Sequence, residues 1–232
     1  MQQVQSQSLT QTPKHKPFKG PGMEGWIARW YARTRKNDME DFHKQAVGVA
    51  ARLSAGCKVL EVAPGPGFFA IELAKLGNFQ ITGLDISRTF VEIAAQNAQA
   101  AGVKIDFCVG DVSAMAFGDQ TFDFIYCAAA FKNFSEPVKA LDEMHRVLVP
   151  GGSATIMDLR HDLSIDQIKK YVKESGRTRL DAWLTTMAFR HMLIKRAYTA
   201  DQFRRLAQQS AFGNCQMTMG DIGFEAHFAK PA

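Results

Sequence analysis

Strand-like and helix-like stretches alternate over residues 57–158, and that alternation predicts an α/β fold with a parallel sheet and helices on both faces. A second observation supports it. The apolar run Val59–Val62 enters a loop with glycines two apart, Gly65 and Gly67, and eighteen residues after Gly67 stands Asp85. A strand, a glycine loop, a helix and a second strand ending on an acid form a nucleotide-shaped cofactor site. A third is the chain end, where two extended stretches flank Gly220 to Gly223 and predict an antiparallel hairpin.

Each element follows from its own pattern. Apolar residues at three- and four-residue spacing predict helices over about 22–35 (Trp26, Ile27, Trp30, Tyr31) and 38–53 (Phe42, Ala46, Val47, Ala50, Leu53). Strand one is 57–62, and helix 68–76 follows, with Phe69, Leu73 and Leu76 on one side. Strand two is 79–84. Ser87 caps a helix over 88–101 and Gly102 closes it. Strands at 104–109 and 122–127 come next, then a helix over 136–148 opened by Ser135 and Pro137. Pro150-Gly151-Gly152 reads as a hard stop before strand five, 153–158. Helices over 164–175, near 180–196 and about 199–210 lead to the closing strands, 214–220 and 222–229.

Composition bounds the rest. The chain has 232 residues, 46% of them hydrophobic, enough for one domain with a sizeable core. Residues 1–20 are rich in Gln, Ser, Thr and Lys and read as a disordered tail, leaving 21–232 as one domain with a helical cap at 160–198. No apolar run is long enough to span a bilayer, and no signal-peptide stretch opens the chain. Cys57, Cys108, Cys127 and Cys215 are scattered without a CxxC pair, which argues against a metal site or a disulfide framework and fits a reducing cytoplasm.

Charge is segregated. Residues 37–158 hold nine basic and fifteen acidic groups, whereas 1–36 hold seven and one, and 159–205 hold eleven and five. The glycine-loop segment is acidic and both flanks are basic. Basic flanks attract anionic substrates, nucleic acid or membrane surfaces, or are simply solvated helix faces.

The glycine loop alone leaves the cofactor open, because nicotinamide enzymes carry the same pattern with the same acid. Three features narrow it. Glu61 stands four residues before Gly65, where a carboxylate suits a cofactor with a cationic amino-acid tail and suits a diphosphate badly. Gly110-Asp111 follows strand three, placed to bond an adenine amino group. Thr121-Phe122-Asp123 opens strand four, and Arg146-Val147-Leu148-Val149-Pro150-Gly151-Gly152 precedes strand five.

In these motifs, closely over 40–158, the chain resembles the class I S-adenosylmethionine-dependent methyltransferases. The resemblance implies a three-layer sandwich with a seven-stranded, mostly parallel sheet in the order 3-2-1-4-5-7-6, strand seven antiparallel. It implies that Glu61 and the backbone of Ala63, Pro64, Gly65 and Gly67 face the methionine end. Asp85 would bind the ribose with Ile86 beside the adenine, Asp111 with Val112 would hold the adenine, and Cys127 and Ala128 would lie near the sulfonium. S-adenosylmethionine is then the cofactor and S-adenosylhomocysteine the product. Taken singly, Glu61 also reads as a cap, Asp111 as a loop acid and Cys127 as a buried small residue.

The expected reaction is in-line methyl transfer to a small organic acceptor, driven by proximity and a dry pocket, with no obligatory catalytic group. Candidates for the acceptor side are Lys132 and Asn133 after strand four, and His161 after strand five as a base. The segment to Gly152 is similar to ubiquinone/menaquinone-biosynthesis C-methyltransferases, which have Arg-Asn where this chain has Lys132-Asn133. Trp26, Trp30 and Tyr31 with Trp183, Met187, Phe189 and Met192 form a candidate aromatic lid, while His191 reads as structural. The expected partner is a small molecule, with the protein a monomer or homodimer. The alternatives are an RNA- or protein-modifying methyltransferase, to which the basic Lys14–Lys19 stretch lends weak support, a non-catalytic cofactor-binding protein, and a nicotinamide oxidoreductase.

Overall fold

The computed structural model describes residues 18–19, 22–174 and 194–232. The remainder of the tail, most of the helix expected near 180–196, and Trp183, Met187, Phe189, His191 and Met192 lie outside the described residues.

Seven strands form one sheet: β1 Lys58–Val62, β2 Gln80–Asp85, β3 Asp106–Val109, β4 Phe122–Ala128, β5 Leu148–Leu159, β6 Gln216–Met219 and β7 Gly223–Ala229. Their order is β3-β2-β1-β4-β5-β7-β6. Pairing is parallel except where β7 runs against β5 and β6. The helices are α1 Gly25–Arg35, α2 Met39–Ala50, α3 Phe68–Leu76, α4 Arg88–Ala100, α5 Pro137–Val147, α6 Ile165–Glu174 and α7 Ala200–Gln209.

The central strands β1 and β4 are mostly apolar and buried along most of their length because helices cover both of their faces. One core cluster joins Leu60, Ile125, Leu141, Met144, Ile156 and Phe203; the other joins Val59, Phe69, Leu73, Ile81, Phe124 and Tyr126. Tyr126 stacks on Phe69 at 4.0 Å between centroids, tying β4 to α3.

Helix ends obey local chemistry. The Ser87 hydroxyl accepts the Phe90 amide at the start of α4, and Gly102 takes φ +69 beyond its end. Thr199 and Gln202 form a reciprocal capping box at α7. The turn Pro150–Gly152 departs from expectation. It does not separate helix from strand; β5 begins at Leu148 directly after α5, and the turn is an irregularity inside it, where the register with β4 shifts between Phe122 and Phe124. Gly152 is required there, since a Cβ would sit 2.9 Å from the Val149 carbonyl oxygen and 3.0 Å from that of Asp123.

Candidate functional site

The C-terminal ends of β1, β2 and β3 meet at one edge of the sheet, the edge where doubly wound folds bind ligands. The loop between β1 and α3 turns on Ala63, Gly65 and Gly67, with φ of +56, +55 and +77. Prolines fill the positions between them and fix the alternate φ angles. Gly67 closes the turn and opens α3. A Cβ there would lie 2.9 Å from Ala94 Cβ and 3.0 Å from Phe107 Cζ, so this glycine also permits the close approach of α4. The Asn97 side-chain amide donates to the Pro66 carbonyl oxygen at 2.9 Å and braces the loop from α4.

Asp85 is buried at the end of β2. Its carboxylate takes the Gly65 amide at 3.0 Å and the Ser87 amide at 2.9 Å. Burial raises its pKa to about 6 against these hydrogen bonds, which favour the charged form. The Ala63 amide bonds to the Leu84 carbonyl and the Gly110 amide to that of Asp85, so the three loops form one connected rim.

Glu61 lies at the base of that rim, paired in register with Gly83 on one side and Tyr126 on the other. Burial, reinforced by the charge of Asp85, pushes its pKa up to about 8, although the Ala70 amide at the start of α3 donates to it. Its Oε2 is buried and has no hydrogen-bond partner. A buried carboxyl oxygen left orphaned costs free energy unless something else satisfies it. A cationic, donor-rich group is the chemistry this atom suits.

The remaining candidate residues fall along the same edge. Ile86 is 40% exposed immediately after Asp85, an apolar surface presented to solvent. The Asp111 carboxylate accepts from the backbone and hydroxyl of Ser113, both at 2.8 Å, which fixes the loop after β3, and Val112 beside it is buried. Cys127 is fully buried in the core, its thiol pushed up by burial and by Asp158. Past it Ala128 is partly exposed, and Ala129, at φ +57, turns the chain outward.

The acceptor-side candidates separate. The Lys132 ammonium is buried and bonds to Asp158 Oδ1 at 2.8 Å and to the Ala129 carbonyl; Asp158 Oδ2 takes the Lys132 amide at 2.8 Å. This ion pair clamps the loop after β4 to the end of β5, so the side chain is turned inward. Asn133 is half-buried, and its carbonyl oxygen accepts the Lys19 amide at 2.7 Å beside a Phe18–Phe134 bridge. His161 is exposed, with Nδ1 2.8 Å from the Ile194 carbonyl oxygen.

The N-terminal segment adds contacts that no local pattern announced. The Glu24 carboxylate accepts the Arg88 and Thr89 amides at the start of α4, at 3.0 and 3.2 Å. The Ser87 hydroxyl donates to the Met23 carbonyl at 2.6 Å. Residues 23–24 therefore lie against the loop that carries Asp85. The partners are 64 residues or more apart, and the helix expected over 22–35 takes in Glu24, which stands ahead of α1.

Comparisons with known proteins agree with this geometry. A family described as "Methyltransferase domain" matches residues 59–152. The match takes in the glycine loop, Asp85, Asp111 and the Pro150–Gly152 turn, and supports the class I S-adenosylmethionine-dependent type. The chain is 35% identical over 116 residues to a demethylmenaquinone methyltransferase of Deinococcus radiodurans, covering 50% of this chain and 48% of that protein. It is 36% identical over 105 residues to a ubiquinone/menaquinone biosynthesis C-methyltransferase of Bdellovibrio bacteriovorus, covering 45% of each. The chain thus spans about half the length of the curated relatives it matches. In fold it resembles an S-adenosylmethionine-dependent methyltransferase structure from Methanococcus maripaludis, with TM-score 0.73 and 20% identity over 96% of this chain and 98% of the other. It also resembles the [4+2]-cyclase SpnF, with TM-score 0.56 and 23% identity over 82% of each, so the methyltransferase-domain fold does not by itself name a reaction.

Among the described residues no cluster of His, Cys, Asp or Glu is placed to hold a metal, and no helix is long and apolar enough to cross a membrane.

Proposed function

We propose that the protein binds S-adenosylmethionine and transfers its methyl group to a small organic acceptor. The buried, orphaned Oε2 of Glu61, set beneath the left-handed turns at Ala63, Gly65 and Gly67, carries this reading. A diphosphate would set its negative charge against Glu61, whereas an amino-acid tail brings an ammonium. The cofactor supplies a methyl carbon bonded to a sulfonium, open to in-line attack.

The protein's part is to bind, orient and exclude water. Glu61 ionises against a cation and holds the tail. The amides opening α3 present donors and a positive dipole end to a carboxylate. Asp85 accepts ribose hydroxyls while its backbone bonds hold it in place. Ile86 and Val112 give the adenine an apolar slot, and Asp111 meets its amino group. Cys127 and Ala128 close the floor nearest the reacting carbon. With Lys132 turned into its ion pair, Asn133 and His161 are the polar groups left to orient an acceptor or take its proton.

The relatives named for demethylmenaquinone suggest a quinone-type or phenolic acceptor, whose proton is removed under mild conditions. The scattered cysteines, with no CxxC pair, favour a reducing compartment such as the cytoplasm. Calorimetric titration with S-adenosylmethionine tests the first step; we expect saturable binding, and no heat up to about 1 mM would refute it. Transfer of labelled methyl to a demethylmenaquinone analogue tests the acceptor class.

A further inference from the structure

A cleft of about 500 Å³ opens beyond the end of β5, on the β4–β5 side of the sheet edge and apart from the glycine loop. This size falls within the range of small-molecule sites, about 300–1,000 Å³. Its charge sets it apart. Lys19, His161, Lys195, Arg196 and Arg205 line it, and among the described lining residues there is no carboxylate. The nearby acids are already engaged: Asp162 holds Arg160 at 2.8 Å and Asp201 holds Arg204 at 2.9 Å.

The cations come from three separate parts of the chain and are held by the fold. The Lys19 ammonium bonds to the Tyr198 hydroxyl at 2.9 Å and lies 5.1 Å from that ring centroid. Arg196 Nη1 donates to the Lys19 carbonyl oxygen at 3.2 Å, joining the N-terminal arm to the segment before α7. The His161 amide bonds to the Tyr198 carbonyl, and Arg160 bridges Tyr198, fixing the far wall to β5. Gln202, Arg205 and Gln209 line the cleft from one face of α7. Four permanent cations gathered with no acid among the described lining repel one another unless an anion joins them. Arginine and lysine together with neutral donors such as Gln202 and Tyr198 are the recognition set of phosphoryl oxygens.

We propose that this cleft binds a phosphoryl group, a phosphate monoester or diphosphate carried by the methyl acceptor. The word acceptor rests on the methyltransferase reading; the anion site does not. His161 places the cleft past the end of β5, and Lys19 ties it to the loop after β4 through its amide bond to the Asn133 carbonyl at 2.7 Å. This moves anion recognition away from Lys132, whose charge is spent on Asp158, to Lys19, Arg196 and Arg205.

The test uses the full chain and inorganic pyrophosphate in calorimetry, at constant ionic strength against chloride. We expect saturable binding that Arg205→Gln combined with Lys195→Gln weakens at least about tenfold. Neither side chain makes a hydrogen bond or ion pair within the described structure, so folding and titration with S-adenosylmethionine should be unchanged. Arg196→Gln serves as a second variant with the same expected loss. Absence of pyrophosphate binding, or binding unaffected by these substitutions, overturns the proposal. So does a preference, lost in the same variants, for phosphatidylglycerol vesicles or single-stranded RNA in a protein indifferent to pyrophosphate. Pyrophosphate binding in a protein that ignores S-adenosylmethionine would refute the methyltransferase reading and leave the anion site standing.

Discussion

Glu61 is a carboxyl group that the fold prefers protonated. Its pKa is about 8 in the folded chain against 4.5 when free, so its contribution to stability is complete below pH 4.5 and is lost as pH rises through 8. Asp85, at about 6 against 3.8, acts in the same direction over a lower window. The ligand-free protein should therefore lose thermal stability between pH 5 and 8.5, and Glu61→Gln should flatten that profile; parallel melting curves for the two proteins would contradict this. The same variant should weaken S-adenosylmethionine binding by at least about tenfold, since it removes the charge facing the cofactor's ammonium. At pH 7 cofactor binding to the unaltered protein should release about one proton, seen as a dependence of the calorimetric heat on buffer ionisation enthalpy. At Gly67, φ +77 and the 2.9 Å approach of Ala94 leave no room for a methyl group. Gly67→Ala should cost about 2 kcal/mol in chemical denaturation and also weaken the cofactor, through the displaced loop.

At the scale of elements, the loop after β4 is held by one buried ion pair. Lys132→Met should destabilise the protein by about 3–5 kcal/mol, because the Asp158 carboxylate stays buried without its cation. The double variant Lys132→Met/Asp158→Leu should regain much of that loss in urea denaturation, whereas a lysine acting on substrate would give a double variant that folds no better than the single one. The segment before α1 is held to α4 by Glu24. Glu24→Ala should cost about 1 kcal/mol in thermal unfolding and loosen cofactor binding through the Asp85–Ser87 turn that Met23 contacts. The Lys132 partner shows where local reading stops. Lys132-Asn133 stood out in the sequence, but the pairing of Lys132 with Asp158 joins residues 26 apart through parallel strands, and no periodicity encodes that register.

Across the whole molecule, the sheet order and the antiparallel last strand were legible through the motif set. The residues themselves predicted a parallel sheet and a final hairpin; the strand order came from the family resemblance that those motifs carry. Helix α3 was readable to the residue because Gly67 starts it and Gly77 ends it. The Pro150–Gly152 turn was misplaced, since composition marks an irregular backbone without showing that the strand continues across it. The sequence by itself determined the α/β class and the glycine loop and strand-end acids at the β1–β3 edge, because these depend on short-range patterns in which each side chain's neighbours are near in the chain. Only the tertiary structure decided that Lys132 is spent on Asp158, that Glu61 carries an unmet hydrogen-bonding oxygen, and that basic residues from three parts of the chain share one cleft with no carboxylate among its described lining. Each of these is a question of which distant groups burial brings within bonding distance, and long-range packing alone answers it.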